Sequence, residues 1–389
     1  MSGGGKKALV PRLRFPEFRE AGSWEAIQLG KLFSIGSGKD YKHLSAGDIP
    51  VYGSGGYMLS VNDFLHDGDS VCIGRKGTID NPMFLTGKFW TVDTLFFTHS
   101  FQRCLPKFIF SVFQNTDWLK HNEAGGVPSL SKANIEKLQT AIPSMLEQQR
   151  IADCLTSLDE VIAAQGRKVE ALKTYKRGLM QQLFPREGET VPRLRFPEFC
   201  DAPEWKQVKA GDLFAKRSER GDDTLTVCSV TMTDGLVRRA SLYRRIDDLA
   251  DATGNKKALR FDIAYNMMRM WQGASGVANE TCMVSPAYIV LKPQPDVHSP
   301  FYGHLFKLPH MLRLFTSHSR GLTEDRLRLY FQDFSNIPML QPEMREQQQI
   351  ADFLAAHEAR VAAESSRLAT LKAHKMGLMQ QLFPLAAEA

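Results

Sequence analysis

A duplication constrains this chain more than any other feature. Glu147-Gln-Gln-Arg-Ile-Ala-Asp153 returns 199 residues later as Glu346-Gln-Gln-Gln-Ile-Ala-Asp352, and each copy runs on to Gly-Leu-Met-Gln-Gln-Leu-Phe-Pro, ending at Pro185 and Pro384. Val-Pro-Arg-Leu-Arg-Phe-Pro-Glu-Phe likewise begins at Val10 and again at Val191. Trp24 and Trp205 follow at matching distance, then Leu32-Phe33 and Leu213-Phe214. The ends of each half repeat and the middles do not. A chain of 389 residues built this way is two halves, each long enough to bury its own core.

Between Glu147 and Phe184 the apolar residues Ile151, Leu155, Leu158, Ile162, Val169, Leu172, Leu179 and Leu183 fall at heptad spacing. Ile350, Leu354, Val361, Leu368, Leu371, Leu378 and Leu382 repeat the seam. The pattern predicts two long helices, entered after Pro143 and Pro338 and ended at Phe-Pro, because proline disfavours helix in the residue before it. At roughly 1.5 Å per residue each would reach a little under about 60 Å. An amphipathic helix of that length needs a partner, and the other copy is the natural one. Antiparallel packing with full overlap would set Ile162 against Leu368 and Val169 against Val361. Gln165 would then face Glu364 at the centre, where a buried polar pair can fix the register. Lys176, Lys375 and His357 also interrupt the seam. The competing expectation is that each helix packs only on its own domain, and Gly166 and Gly178 weigh against long uninterrupted helices.

The middles, about residues 25 to 140 and 206 to 335, each read as α/β. In the first, Asp69–Ile73 reads as a buried strand, Gly74–Gly77 as a basic turn and Thr91–Phe97 as a later strand. In the second, Phe261–Tyr265 leads through Asn266–Gly273 to a strand at Ala287–Leu291. The expected fold class is α+β: two α/β recognition domains, 1–143 and 193–338, and two long antiparallel helices forming a coiled coil with a pseudo-two-fold internal repeat. The helices occupy 144–185 and, with a C-terminal tail, 339–389, and 186–192 is a linker.

A net charge of +6 and a pI near 8.9 suit an anionic partner without demanding one. Both middles place cations, aromatics and amides on glycine-rich loops, the inventory for phosphate contact and base-edge readout. The first offers Lys39, Tyr41, Lys42, His43, Ser54, Tyr57, Arg75, Lys76 and Trp90. The second offers Arg238, Arg239, Arg244, Arg245, Asn266, Arg269, Trp271, Gln272, Arg320, Arg326 and Arg328. Solvated surface accounts for any one of these lysines or arginines taken singly; their clustering in both halves favours a binding role.

Signs of catalysis are missing. Gly36-Ser-Gly-Lys39 and Gly53-Ser-Gly-Gly56 do not complete a Walker A loop, since Phe33 and Asp40 occupy required glycine and hydroxyl positions, and turn glycines explain them. Asn81-Pro-Met-Phe84 comes near the Asn-Pro-Pro-Phe/Tyr loop of amino-methyltransferases, but Met83 replaces the second proline and no donor-binding loop accompanies it. No metal-ligand spacing, paired-carboxylate motif or Gly-x-Ser-x-Gly loop occurs. The six cysteines are scattered and read as reduced structural thiols. No signal-peptide core and no run of about 18 apolar residues is present, so a cytoplasmic location is expected.

These residues resemble the specificity subunit of type I restriction-modification systems over nearly the whole chain. The paired Glu-Gln-Gln-x-Ile-Ala helices and the Pro-Arg-Leu-Arg-Phe-Pro-Glu-Phe openings carry most of the resemblance. Pro50–Gly56, Arg75-Lys-Gly-Thr78, Leu130-Ser-Lys132, Arg269–Gly273 and Ser285–Tyr288 add to it. The resemblance implies a non-catalytic DNA-reading subunit whose two recognition domains each read half of a bipartite double-stranded target. An antiparallel helix pair would hold the domains about 34 to 36 Å apart, one turn of DNA. It further implies that the repeats dock two methyltransferase subunits alongside restriction and motor subunits. S-adenosylmethionine, ATP and Mg2+ would belong to those partners, with no cofactor on this chain. Arg75 to Thr78 and Asn266 to Gln272 become the leading candidates for loops near DNA. Two rival readings remain: a self-contained adenine DNA methyltransferase fused to a recognition module, and a helical protein-protein scaffold.

Overall fold

The structure, a computed structural model, describes residues 9–222, 224–242 and 254–384; Arg244 and Arg245 lie outside them. In chain order the strands begin with β1 (Glu25–Gln28), β2 (Ser34–Ser37), β3 (Ala46–Gly53), β4 (Gly56–Val61) and β5 (His66–Asp67). They continue with β6 (Ser70–Gly74), β7 (Met83–Leu85), β8 (Lys88–Thr91) and β9 (Leu95–His99). Helices α1 (Pro106–Asn115) and α2 (Lys132–Lys137), strand β10 (Gln139–Ile142) and the long α3 (Met145–Leu183) follow. Next come β11 (Lys206–Lys209), α4 (Ala210–Leu213), β12 (Phe214–Arg217), β13 (Val227–Val230), β14 (Leu236–Arg238) and β15 (Lys256–Ala258). After β16 (Ile263–Asn266), β17 (Ser275–Val277), β18 (Cys282–Val284) and β19 (Tyr288–Pro293) stand α5 (Ser299–Leu305), α6 (Pro309–Ser317) and α7 (Phe331–Phe334). β20 (Pro338–Gln341) and the long α8 (Met344–Leu382) close the chain.

Two compact units result, one from Met1–Arg167 with Ser365–Ala389, the other Lys168–Glu364. In the first, the sheets run β2-β9-β6-β7 and β4-β3-β8-β5, and β1 pairs with β10. In the second they run β12-β19-β16-β17 and β14-β13-β18-β15, and β11 pairs with β20. The topology is the same strand for strand. Even the parallel pairing recurs, β3 with β8 through Val51 and Trp90, and β13 with β18 through Cys228 and Val284. A strand needs only apolar, β-favouring residues on its buried faces, so unlike letters can build like sheets. β6 and β16 show this: both lie inside their sheets, and Val71-Cys-Ile73 and Ile263-Ala-Tyr265 are fully buried.

One expected strand is corrected. Thr91–Phe97 divides at Val92-Asp-Thr94, where Val92 donates to the Tyr52 carbonyl and Leu95 to that of Val92, both at 2.9 Å. The apolar run crosses from one sheet to the other, which its composition could not show. The glycines of Gly36-Ser-Gly-Lys39 are also not in a turn. A Cβ on Gly36 would lie 2.2 Å from the Phe97 ring, and one on Gly38 would lie 1.9 Å from the Val92 carbonyl oxygen, so both permit close approach. Gly53-Ser-Gly-Gly56 does form the turn between β3 and β4, with Gly56 at φ +109°.

Each core explains the repeats. In the first unit, Ile151 and Leu155 at the start of α3 meet Met379, Leu382 and Phe383 at the end of α8. In the second, Ile350 and Leu354 at the start of α8 meet Leu179, Leu183 and Phe184 at the end of α3. The Phe-Pro ends thus seat in aromatic triads. Phe383 lies 6.0 Å from Trp24 and 5.6 Å from Phe108, and Phe184 lies 6.2 Å from Trp205 and 5.1 Å from Phe301. Burying such a phenylalanine stabilises by about 1.5–3 kcal/mol, and the edge-on ring pairs add to that. The opening segments close on the same ends, with Leu13 donating to the Gln381 carbonyl at 3.0 Å and Leu194 to that of Gln182 at 2.9 Å.

The glutamates of the repeat are buried acceptors. Arg14 grips both carboxylate oxygens of Glu147 at 2.7 Å, and Arg195 grips those of Glu346 at 2.8 Å. The next residue is satisfied just as fully. Gln148 accepts from Leu105 N–H and donates to the carbonyls of Arg103 and Pro143, while Gln347 accepts from His298 N–H and donates to those of Asp296 and Pro342.

Within each unit the helix segments run antiparallel, as the seam predicts. In the second unit Lys168 pairs with Glu364 and Lys176 with Glu358, and His357 bonds the Leu172 carbonyl at 3.0 Å. In the first, Lys375 holds both oxygens of Asp159 at 2.6 and 2.7 Å and the Gln114 amide oxygen at 2.9 Å. The seam lysines are therefore ion-pairing residues at equivalent places. Gly166 and Gly178 do not break α3: a Cβ at either would meet nothing within 4 Å, so each costs only its intrinsic helix penalty of about 1 kcal/mol. Gln165 is buried, and Glu364 receives Lys168.

Two outcomes follow for stability. Replacing Glu147 by glutamine strands a buried guanidinium and should cost about 3–5 kcal/mol in denaturant melts, whereas Glu25→Gln, which breaks the solvent-screened pair with Arg103, should leave the melt essentially unchanged. Gly74→Ala places a Cβ 1.9 Å from the Thr78 carbonyl oxygen and should cost about 1–3 kcal/mol as the following loop shifts.

Candidate nucleic-acid interface

In the first unit the loop Arg75–Thr78 leaves the buried strand β6 and is held by its backbone. Arg75 N–H donates to Thr94 O at 2.8 Å, Gly77 N–H to Pro128 O at 2.9 Å, and Leu130 N–H to Arg75 O at 3.0 Å. With the main chain tied, the side chains of Arg75, Lys76 and Thr78 stand exposed. The Arg75 guanidinium lies 6.0 Å from the Phe96 ring, within reach of a cation–π attraction. Arg75 and Lys76 border a hollow of about 370 Å³ that Ser129, Ser131 and Lys132 also line. Glu123 accepts from Ser131 N–H at 2.8 Å, and hydrogen bonding from that residue holds its carboxyl below the usual range.

A wider hollow of about 770 Å³ gathers Tyr41, Lys42, Ser54 and Tyr57 with Asp40 and Asp93. Tyr57 is 62% exposed. Ser54 N–H approaches the Thr94 hydroxyl at 3.5 Å, which joins this hollow to the turn beneath Arg75. Lys39, Lys42 and His43 are exposed. Trp90 is corrected: it is 5% exposed, and its indole N–H donates to the Lys39 carbonyl at 2.9 Å. Its ring supports His43 at 5.7 Å and cannot stack on a base as placed.

The second unit puts its counterpart loop after β16. The Asn266 side-chain oxygen accepts from Met268 N–H at 3.0 Å in a local turn, and the Trp271 indole donates to the Met268 carbonyl at 3.1 Å. Arg269 and Gln272 are exposed, and Gly273, at φ +87°, ends the loop in a conformation that favours glycine. Leu329 N–H donates to the Met267 carbonyl at 2.9 Å, as Leu130 does to Arg75. This bond brings in a second basic loop, in which Arg320 and Arg328 exchange backbone hydrogen bonds at 2.9 Å. Arg320, Arg326, Arg328, Tyr330 and Gln332 line a hollow of about 920 Å³.

Charge divides these arginines. Arg238 is bidentate to Glu280 at 2.7 Å and holds that carboxyl below its usual range, and Arg320 pairs with Asp333 at 2.6 Å. Arg239 donates to the Ser229 hydroxyl at 3.1 Å. Arg269, Arg326 and Arg328, like Arg239, have no carboxylate partner among the described residues, which leaves these cations for an anionic ligand. Sequence reasoning passed over Tyr330 as a site residue and used Lys132 only for the family resemblance. The 199-residue offset of the helices maps Leu130-Ser131 onto Leu329-Tyr330 and carried the missing signal. The six cysteines are unpaired, and no metal-holding cluster occurs among the described residues.

The chain matches the family model described as type I restriction modification DNA specificity domain twice, over residues 22–174 and 203–373. It is similar to the type I restriction enzyme MjaVIII specificity subunit of Methanocaldococcus jannaschii, 26% identical over 160 residues, 39% of this chain and 35% of that protein. It also resembles the putative specificity subunit S.HindORF215P of Haemophilus influenzae, 23% identical over 29% of this chain and 31% of that one. Each match therefore spans about a third of the curated relative. Among solved structures, the type I S subunit from M. genitalium shares the fold with a TM-score of 0.65 at 12% identity, covering 97% of this chain and all of that one. A structure from work on assembly and conformational transition of the type I system aligns with a TM-score of 0.52 at 16% identity, over 93% and 97% of the two chains. Two family domains in sequence, each built on the same strand order, show that this chain belongs to the type I restriction-modification DNA specificity family.

Proposed function

We propose that this chain reads a bipartite double-stranded DNA target, one half-site per unit, without catalysing a reaction itself. The observation that carries the reading is the placement of unlike loops on like frames. Arg75–Thr78 and Asn266–Gln272 leave equivalent strands and are tied by equivalent bonds to Leu130 and Leu329, yet they share almost no residues. A frame kept constant beneath variable exposed cations and amides suits two readers of different sequences. Partners carry the chemistry in this reading: two modification subunits dock on the exposed faces of α3 and α8, where Val161, Tyr175, Phe353 and Met376 stand in solvent. Restriction subunits complete the assembly, and S-adenosylmethionine, ATP and Mg2+ are bound by those partners. Work on DNA places the complex in the cytoplasm, and no helix among the described residues is long and apolar enough to cross a membrane.

Methylome sequencing tests this in a host carrying the chain with its modification subunits. Exchanging residues 25–140 for those of another family member should change one half of a split motif and leave the other; a change in both halves, or an uninterrupted motif, refutes the assignment. At single residues, Arg269→Ala should cost about 1–3 kcal/mol at one position of one half-site if it reads a base edge. Lys76→Ala should weaken all sequences alike and lower the salt slope by about one if it meets a phosphate.

A further inference from the structure

Lys307, in the short connection between α5 and α6, carries a charge with no ion-pair partner among the described residues. Its ammonium donates instead to three carbonyls, those of Gly273, Ser275 at 3.1 Å and Met232 at 3.4 Å. Gly273 ends the Asn266–Gly273 loop, Ser275 opens β17, and Met232 sits in the turn between β13 and β14. One side chain therefore ties two exposed segments to the helices below them. Among the described residues no cation ties Arg75–Thr78 in this way, and the bonds that hold that loop run through its backbone.

We propose that Lys307 is a positioning residue for base discrimination by the second unit, holding the Asn266–Gly273 loop and the Thr231–Gly235 turn in their reading conformation. The inference rests on the DNA-reading function proposed above. An ammonium has three donors for its three carbonyls, and a neutral amine has two, so losing the proton must release one contact. Burial, aided by the positive charge of Lys176, pushes the Lys307 pKa down to about 8. Deprotonation relieves a buried charge, so global stability should not fall as pH rises through that value. What is lost is the tie between the two segments.

Lys176 on α3 is the charge that acts on it, and Lys176 in turn pairs with Glu358 on α8, which lies 3.7 Å from His304 on α5. His310 and Arg313 stand on α6, Arg269 in the loop and Asp234 in the turn. Burial holds both His304 and His310 below the ordinary histidine range.

The test measures binding of the full chain, assembled with its modification subunits, to duplexes carrying single-base changes in each half-site. Between about pH 7 and about pH 9 the unaltered protein should lose on the order of ten-fold discrimination at the second half-site, with the first unchanged. Lys307→Arg, whose guanidinium stays charged, should keep the preference and remove the pH dependence. Lys307→Met should show the weak preference at every pH. A flat profile for the unaltered protein, the same decline in Lys307→Arg, or full discrimination in Lys307→Met would overturn the inference. The profile of the unaltered protein decides the matter even if the methionine variant fails to fold. If the unaltered complex prefers neither half-site at pH 7, the DNA-reading function falls and this inference with it.

Discussion

The grip of a buried arginine on a buried glutamate holds each unit to its long helix. Arg14 on Glu147 and Arg195 on Glu346 are bidentate, nearly dry, and join the opening segment of each unit to the first turn of a helix. Desolvation offsets much of what such a pair gains, so its value lies less in net stability than in alignment. An arginine fork accepts a carboxylate in one geometry. With the glutamate placed, Gln148 and Gln347 reach their three backbone partners, and the isoleucine and alanine that follow enter the core.

Repetition of the chain ends follows from how each unit is closed. A unit needs the beginning of one long helix and the end of the other, because Phe383 completes the triad around Trp24 and Phe184 the one around Trp205. Every repeated motif therefore has its counterpart doing the same work in the other unit. The copies are not identical in detail: the Trp24 indole donates to Glu147 at 3.3 Å, whereas the Trp205 indole has no partner among the described residues, and Arg150 pairs with Glu17 where Gln349 donates to Glu198.

Freedom to vary lies where the frame is tied through its backbone. Arg75–Thr78 can change its side chains without losing the bonds to Thr94, Pro128 and Leu130. The second unit keeps the equivalent backbone bond, Leu329 to Met267, and adds a side chain, Lys307, that reaches the carbonyls of Gly273 and Ser275. Similar strand orders thus support loops tied in different ways.

The sequence alone determined the two halves, the long antiparallel helices and the family, because heptad spacing and an exact repeat are local signals that survive without coordinates. It also singled out the two loops, Arg75–Thr78 and Asn266–Gln272. Tertiary structure decided what pairwise distance decides. It showed that Trp90 is a support inside the sheet, that Arg238 and Arg320 already hold acids, and that Thr91–Phe97 crosses between sheets. It also brought Lys307 beneath a loop more than thirty residues earlier in the chain. A side chain's role depends on which distant atoms fold against it, and composition carries no record of that.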